Sequence, residues 1–181
     1  MKSEVETILE ADHAELDTLL ERTFRAIDSA DCREAYLALD FFWARLAMHI
    51  RAEHLRLFPA VREIVQRAPD AARPVDDDIP EMLDQLRHDH DFFMTQLARA
   101  IKALRLVFHF GNEEATLPVV RDLVDQVRQT LIQHNELEEN RIYTLIDDTF
   151  LAPDTMNELE LSIKKELSNL PARFRDASAP S

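Results

Sequence analysis

The sequence predicts an all-α chain: an up-and-down four-helix bundle with an additional C-terminal helix. Three observations carry this. Only one residue of 181 is glycine, Gly111, while Leu, Ala, Glu, Asp and Arg are plentiful; sheets need frequent turns, and turns favour glycine. Apolar residues recur at helical spacing along most of the chain. The breaks between periodic stretches are few, two short turns and one longer proline-rich connection.

The first helix is expected over about residues 3–30, with Ile8, Leu9, Leu16, Leu20, Phe24 and Ile27 on one side. The second is expected over about 31–67, with Asp31 as its N-cap. The long connection follows, carrying Pro69, Pro74 and Pro80; its acidic run Asp76-Asp77-Asp78 reads as a solvated loop that helps start the next helix. The third helix is expected over about 79–109, closed by Phe110-Gly111-Asn112, where glycine can end a helix in the left-handed conformation. The fourth is expected over about 114–148, with Pro118 near its start. Pro153 opens a fifth, with the stripe Met156, Leu159, Ile163, Leu167 and Leu170, and the tail after Pro171 reads as frayed. Residues 1–150 then make the bundle, and 151–181 a helix and tail packed on it.

The net charge of −14 argues against nucleic acid and anionic membrane as partners, since both need a positive footprint. No apolar run approaches the roughly 20 residues that span a bilayer. The acidic, amphipathic start MKSEVETILEADH does not read as a signal peptide. Cys32 is the single cysteine, which fits a reducing compartment. Together these readings place the chain in the cytoplasm.

Two stretches repeat at an offset of 85 residues: His49-Ile-Arg-Ala-Glu53-His-Leu-Arg-Leu-Phe58 and His134-Asn-Glu-Leu-Glu138-Glu-Asn-Arg-Ile-Tyr143. The core stripes match in the same register, Leu39, Phe42, Leu46, His49, Glu53, Leu57 and Ala60 against Val124, Val127, Leu131, His134, Glu138, Ile142 and Leu145. Each apolar seam is thus interrupted by a histidine and, one turn later on the same face, a glutamate. A carboxylate buried without a partner costs roughly several kcal/mol. A metal ion removes that cost and suits imidazole nitrogen together with carboxylate oxygen.

The other two helices each offer one more histidine. His13 is framed by Leu9, Leu16 and Leu20, and His90 by Leu83, Leu86, Phe93, Met94 and Leu97. His88 has Asp84, Asp91, Thr95 and Arg99 around it, so His90 is assigned inward and His88 outward. An Asp-His pair recurs, Asp12-His13 and Asp89-His90. Counted from the turns at about 1.5 Å per residue, His13 is level with His49 and His90 with His134 to within roughly one helical turn. The candidate metal ligands are therefore His13, His49, Glu53, His90, His134 and Glu138, enough for two metals about 3.5–4 Å apart with open positions.

These residues resemble the hemerythrin-like (HHE cation-binding) family, named for its repeated His, His, Glu pattern, over residues 8–148. The resemblance implies a hemerythrin-like four-helix bundle holding two iron ions in a non-haem di-iron centre, with Glu53 and Glu138 as bridging ligands and the four histidines as terminal ones. Zinc or manganese suits the same donors. The oxygen-carrying hemerythrins have an H-x-x-x-H pair on the third helix, whereas His88 and His90 are two apart; their last carboxylate is an aspartate five residues after its histidine, whereas Glu138 is four after His134. The pattern is closer to bacterial proteins that repair iron–sulfur centres under nitrosative or oxidative stress.

The resemblance implies a small diatomic or peroxide ligand (O2, NO or peroxide) in sensing, stress response or iron-centre repair. The alternatives are an iron donor or store, and a helical signalling or interaction bundle with a protein partner or a second copy. His54 and Glu139, beside the ligand glutamates, read as supporting or surface groups, His54 being the better candidate to join the site. Tyr36, Trp43, Phe58 and Tyr143 read as core. Cys32, at a helix start where a thiol pKa can fall, reads as a buried or merely tolerated residue.

Overall fold

Ser3 and Asp31 cap the first two helices. In the computed structural model, which describes residues 2–67, 75–147 and 150–175, the Ser3 hydroxyl accepts from the Glu6 N–H at 3.2 Å and opens α1 (Glu4–Asp28). The Asp31 carboxylate accepts from the Glu34 N–H at 2.9 Å and opens α2 (Cys32–Ala52). Each cap satisfies a donor that the first helical turn leaves free. After α2 come a π turn (Glu53–Leu57), α3 (Phe58–Arg67), α4 (Ile79–Phe110) and α5 (Glu113–Leu137). A second π turn (Glu138–Ile142), a 3-10 turn (Tyr143–Leu145), α6 (Pro153–Leu167) and the short α7 (Ala172–Arg175) complete the order. Pro69, Pro74 and Asp148, and the tail beyond residue 175, lie outside the described residues.

The expected second and fourth helices each hold an interruption that a uniform helical period does not show. Both π turns begin at the repeat glutamates and close with bonds five residues long, Phe58 N–H to the Glu53 carbonyl and Tyr143 N–H to the Glu138 carbonyl. Pro59 explains part of the first, because it has no N–H to give the Leu55 carbonyl and its ring crowds that oxygen. The extra residue rotates everything downstream. The buried stripe continues through Leu57, Phe58, Val61 and Ile64, while Ala60 is only half-buried. In the second half it continues through Ile142, Tyr143, Leu145 and Ile146.

The turn between α4 and α5 also differs in detail. Gly111 has φ 72° and ψ −149°, a conformation open to glycine but not the left-handed helical one, which Asn112 adopts instead (φ 74°, ψ 40°). Pro118 is the sixth residue of α5 and forfeits the bond its N–H would have given the Glu114 carbonyl.

Helix α1 packs on α2, α2 on α4, α4 on α5, and α5 back on α1, an up-and-down four-helix bundle; α6 lies against α1 and α2. Leu159, Ile163, Leu167 and Leu170 of the expected last stripe are buried, with Met156 at their edge. The core is divided in two. One cluster gathers Leu16, Phe24, Phe42, Leu46, Phe93, Leu97, Val124 and Leu131; the other gathers Leu9, Leu57, Phe58, Leu83, Leu86, Ile142 and Ile163. Each such side chain contributes about 1.5–3 kcal/mol by leaving water. Between the clusters lies one polar layer, and that layer holds His13, His49, His90 and His134.

Candidate metal centre

The four helices enter this layer at equal height: His13 between Leu9 and Leu16, His49 between Leu46 and Ala52, His90 between Leu86 and Phe93, His134 after Leu131. None of these histidines exposes more than 3% of its surface, and Glu53 and Glu138 expose none. The structure places His88 outside, exposed, with its Nδ1 2.7 Å from the Asp84 carbonyl.

All four imidazoles turn Nε2 inward. His13 Nε2 lies 3.1 Å from His49 Nε2, and His90 Nε2 lies 3.0 Å from His134 Nε2. The glutamates join the two pairs. Glu53 reaches His49 Nε2 with Oε1 (3.1 Å) and His90 Nε2 with Oε2 (3.2 Å). Glu138 reaches His134 Nε2 with Oε1 (3.3 Å) and His13 Nε2 with Oε2 (3.4 Å). Two tetrads result, His13, His49, Glu53, Glu138 and Glu53, His90, His134, Glu138, each with donor atoms within 4.8 Å of one another. They share both glutamates.

The outward Nδ1 atoms are held as well. His49 Nδ1 meets Asp12 Oδ2 at 2.9 Å, and His134 Nδ1 meets Asp89 Oδ2 at 3.3 Å, so the recurring Asp-His pair orients the histidine of the neighbouring helix. His13 Nδ1 meets Glu139 Oε1 at 2.8 Å, and His90 Nδ1 meets His54 Nε2 at 2.8 Å. A carboxylate on the outer nitrogen fixes the tautomer, aims Nε2 at the centre and raises its basicity. The Tyr143 hydroxyl sits inside the layer, 2.9 Å from Glu53 Oε1, 3.0 Å from Glu138 Oε2 and 3.1 Å from His13 Nε2.

The electrostatics are those of a site arranged for a cation. Burial would push His134 down, but the Glu138 charge and the bonds to Asp89 and Glu138 outweigh it and lift its pKa to about 10. His49 is raised well above 6.5 against burial, by the Glu53 charge and its bonds to Asp12 and Glu53. Glu53 is held well below the usual carboxylate range although burial opposes this, because His49 and His90 stand beside it. Tyr143 is raised by burial and by the two glutamate charges, so its hydroxyl is a proton donor. Yet the buried Glu53 Oε2 and Glu138 Oε1 make no hydrogen bond of good geometry, each meeting only an imidazole Nε2, at 3.2 and 3.3 Å. A buried oxygen left so poorly satisfied costs up to roughly 1–3 kcal/mol, and a coordinated cation satisfies both at once. The donor set of imidazole nitrogen and carboxylate oxygen fits a metal ion.

A family model described as "Hemerythrin HHE cation binding domain" matches residues 5–146. The chain belongs to this family. Neither a curated protein nor a solved structure matches it. The matched HHE region contains the whole polar layer and stops before α6.

Tyr143 does more in the HHE layer than the sequence reading assigned to it. Tyr143 is buried as expected, but it is the hydrogen-bond hub of the layer rather than simple packing. The available signal was its position in the repeat, where the other copy has Phe58. His54 and Glu139, also repeat-related, each meet the Nδ1 of a candidate ligand, at 2.8 Å in both cases. Cys32 is buried, and burial with Glu113 and Asp31 nearby pushes its thiol pKa up, against a reactive thiolate at a helix start. Tyr36 and Trp43 lie at the edge of the first cluster, away from the layer. Among the described residues no helix is long and apolar enough to cross a membrane.

Proposed function

We propose that the chain is a non-haem di-iron protein whose centre binds or reacts with O2, NO or peroxide, in sensing, stress response or iron-centre repair. The observation that carries this is the pair of tetrads sharing Glu53 and Glu138. Two metals side by side need two ligand sets joined by bridging groups, and two carboxylates whose four oxygens each face a different imidazole supply the bridges. His13 and His49 hold one metal, His90 and His134 the other. Two carboxylates against two divalent ions leave positive charge, and two imidazoles with two shared carboxylates leave coordination positions open. Iron bound there would supply electrons to a small ligand.

The protein's own part is orientation, dryness and a proton. Phe58 stacks on His90 with ring centres 6.0 Å apart, and Phe93 meets His134 edge-on at 5.2 Å, forming an apolar wall. Tyr143 holds a proton at its hydroxyl between the two glutamates. A reducing, cytoplasmic setting suits ferrous loading and the lone thiol of Cys32.

A second reading, an iron donor or store, is favoured by one feature. A pocket of about 280 Å³ between α1 and α5 is lined by Glu10, Asp17, Glu136 and Glu139 and reaches His13. Acidic walls attract cations, so metal can exchange there. Mild chelation separates the readings: a store loses its iron, whereas a redox centre keeps it through cycles of oxidation and reduction.

The direct test is metal content after anaerobic purification from iron-supplemented cells, with the visible spectrum before and after air or NO. The expected result is about two irons per chain and a ferric band that responds to exposure. Unchanged two-metal stoichiometry in His49→Ala would sink the assignment.

A further inference from the structure

The last turn of α6 reaches the polar layer along two separate lines. Glu166 accepts from Arg51 Nε at 2.8 Å and from Arg56 Nη2 at 2.6 Å. These arginines flank Glu53 and His54, one in the final turn of α2 and one inside the π turn. One residue on, the Leu167 carbonyl accepts from Arg45 Nη1 at 3.4 Å, and the same guanidinium bonds Asp12 through Nη2. Asp12 in turn holds His49 Nδ1. The free carbonyls at a helix end carry partial negative charge, which favours an arginine there. Charge-assisted bonds from two guanidinium groups also fix a carboxylate more strongly than neutral ones.

Among the described residues the other half of the layer lacks this device. Arg141 stands at the repeat position of Arg56 but pairs with Asp76 and Asp78, each at 3.0 Å, ahead of α4. Glu136 stands where the first copy has Arg51. Helix α6 also lies beyond the residues matched by the family model.

We propose that the last turn of α6 is a positioning clamp for the His49 and Glu53 side of the metal centre, acting through Glu166 on Arg51 and Arg56 and through Leu167 on Arg45 and Asp12. Glu166 is a positioning residue: it touches no metal donor and sets the turn that carries one. The inference rests on the metal-centre reading above.

The test uses the full chain and anaerobic Co(II) titration against a competing chelator, with the cobalt ligand-field spectrum as a second readout. Glu166→Ala is expected to weaken cobalt binding by about tenfold at the position of His13 and His49, the low end of the range for groups behind a ligand, with a smaller loss at the second position that Glu53 also serves, and to shift the ligand-field bands at unchanged helix content. The Arg51→Ala/Arg56→Ala pair, whose side chains are 50% and 40% exposed, should reproduce that change and add nothing when combined with Glu166→Ala, because all three act as one unit. Glu160→Ala removes another α6 carboxylate, paired with Lys164, and should move neither readout. If Glu166→Ala does not fold, the arginine pair carries the same test. Wild-type affinities and bands in the folded variants overturn the clamp. A wild-type chain that takes up no cobalt overturns the metal reading itself, and the clamp with it.

Discussion

The Tyr143 hydroxyl donates to Glu53 Oε1 at 2.9 Å across the bundle, while the same oxygen lies 3.0 Å from Glu138 Oε2. One hydroxyl proton therefore serves two buried carboxylates whose other oxygens make no hydrogen bond of good geometry. Tyr143→Phe should destabilise the metal-free protein by about 1–3 kcal/mol, the cost of leaving a buried acceptor unsatisfied. With both carboxylates occupied by metal the loss should shrink. Urea unfolding of both forms checks this, and an equal loss in the two would mean that the hydroxyl merely packs.

Glu139 and His54 occupy the same place in the two repeats but differ in charge, and each holds the Nδ1 of a histidine from the opposite half. The position built on His13 therefore has an anion behind its ligand, and the one built on His90 does not. Glu139→Gln should lower affinity at the His13 position by about tenfold or more and leave the other nearly unchanged. A two-step metal titration against a chelator shows it. Equal weakening of both steps would contradict the assignment of Glu139 to one metal.

How legible this was in the sequence depends on which physics wrote each feature. The seams around His49, Glu53, His134 and Glu138 were readable because a polar residue inside an apolar stripe stands out against the helical period. His90 could be separated from His88 for the same reason. The π turns could not be read from that period, since one added residue rotates the later stripe without removing it; only Pro59 hinted at the first. The hub role of Tyr143 was hidden because aromatic residues fill cores far more often than they bond ligands. The Asp-His pair was visible as a repeat, but which imidazole each aspartate holds is a contact between helices, and local spacing carries no such information.

The raised pKa values of His49 and His134 give stability a direction with pH. Below the unfolded-state value of about 6.5 each imidazole is protonated in both states, and its pairing with a carboxylate contributes in full. As pH climbs through about 10, the proton on His134 leaves the folded state and that contribution is lost. Metal-free protein should therefore lose stability between about pH 6.5 and 10. Metal needs neutral imidazole, so affinity should rise over the same range as protons stop competing. Thermal unfolding with and without metal from pH 6 to 10 should show the two curves diverging. Parallel curves would mean that these histidines are neither protonated when empty nor ligands when filled.

Glu53 and Glu138 belong to both tetrads, whereas each histidine belongs to one. The consequence is an asymmetry in what single substitutions remove. His49→Ala takes one imidazole from one set and should leave the chain holding about one metal, in the set of His90 and His134. Glu53→Gln keeps the size of the side chain but removes a charge next to both His49 and His90. It should weaken both positions together, bringing stoichiometry toward none. Elemental analysis of the two variants beside the parent decides the point. If Glu53→Gln loses only as much metal as His49→Ala, Glu53 serves a single ion and the carboxylates do not bridge.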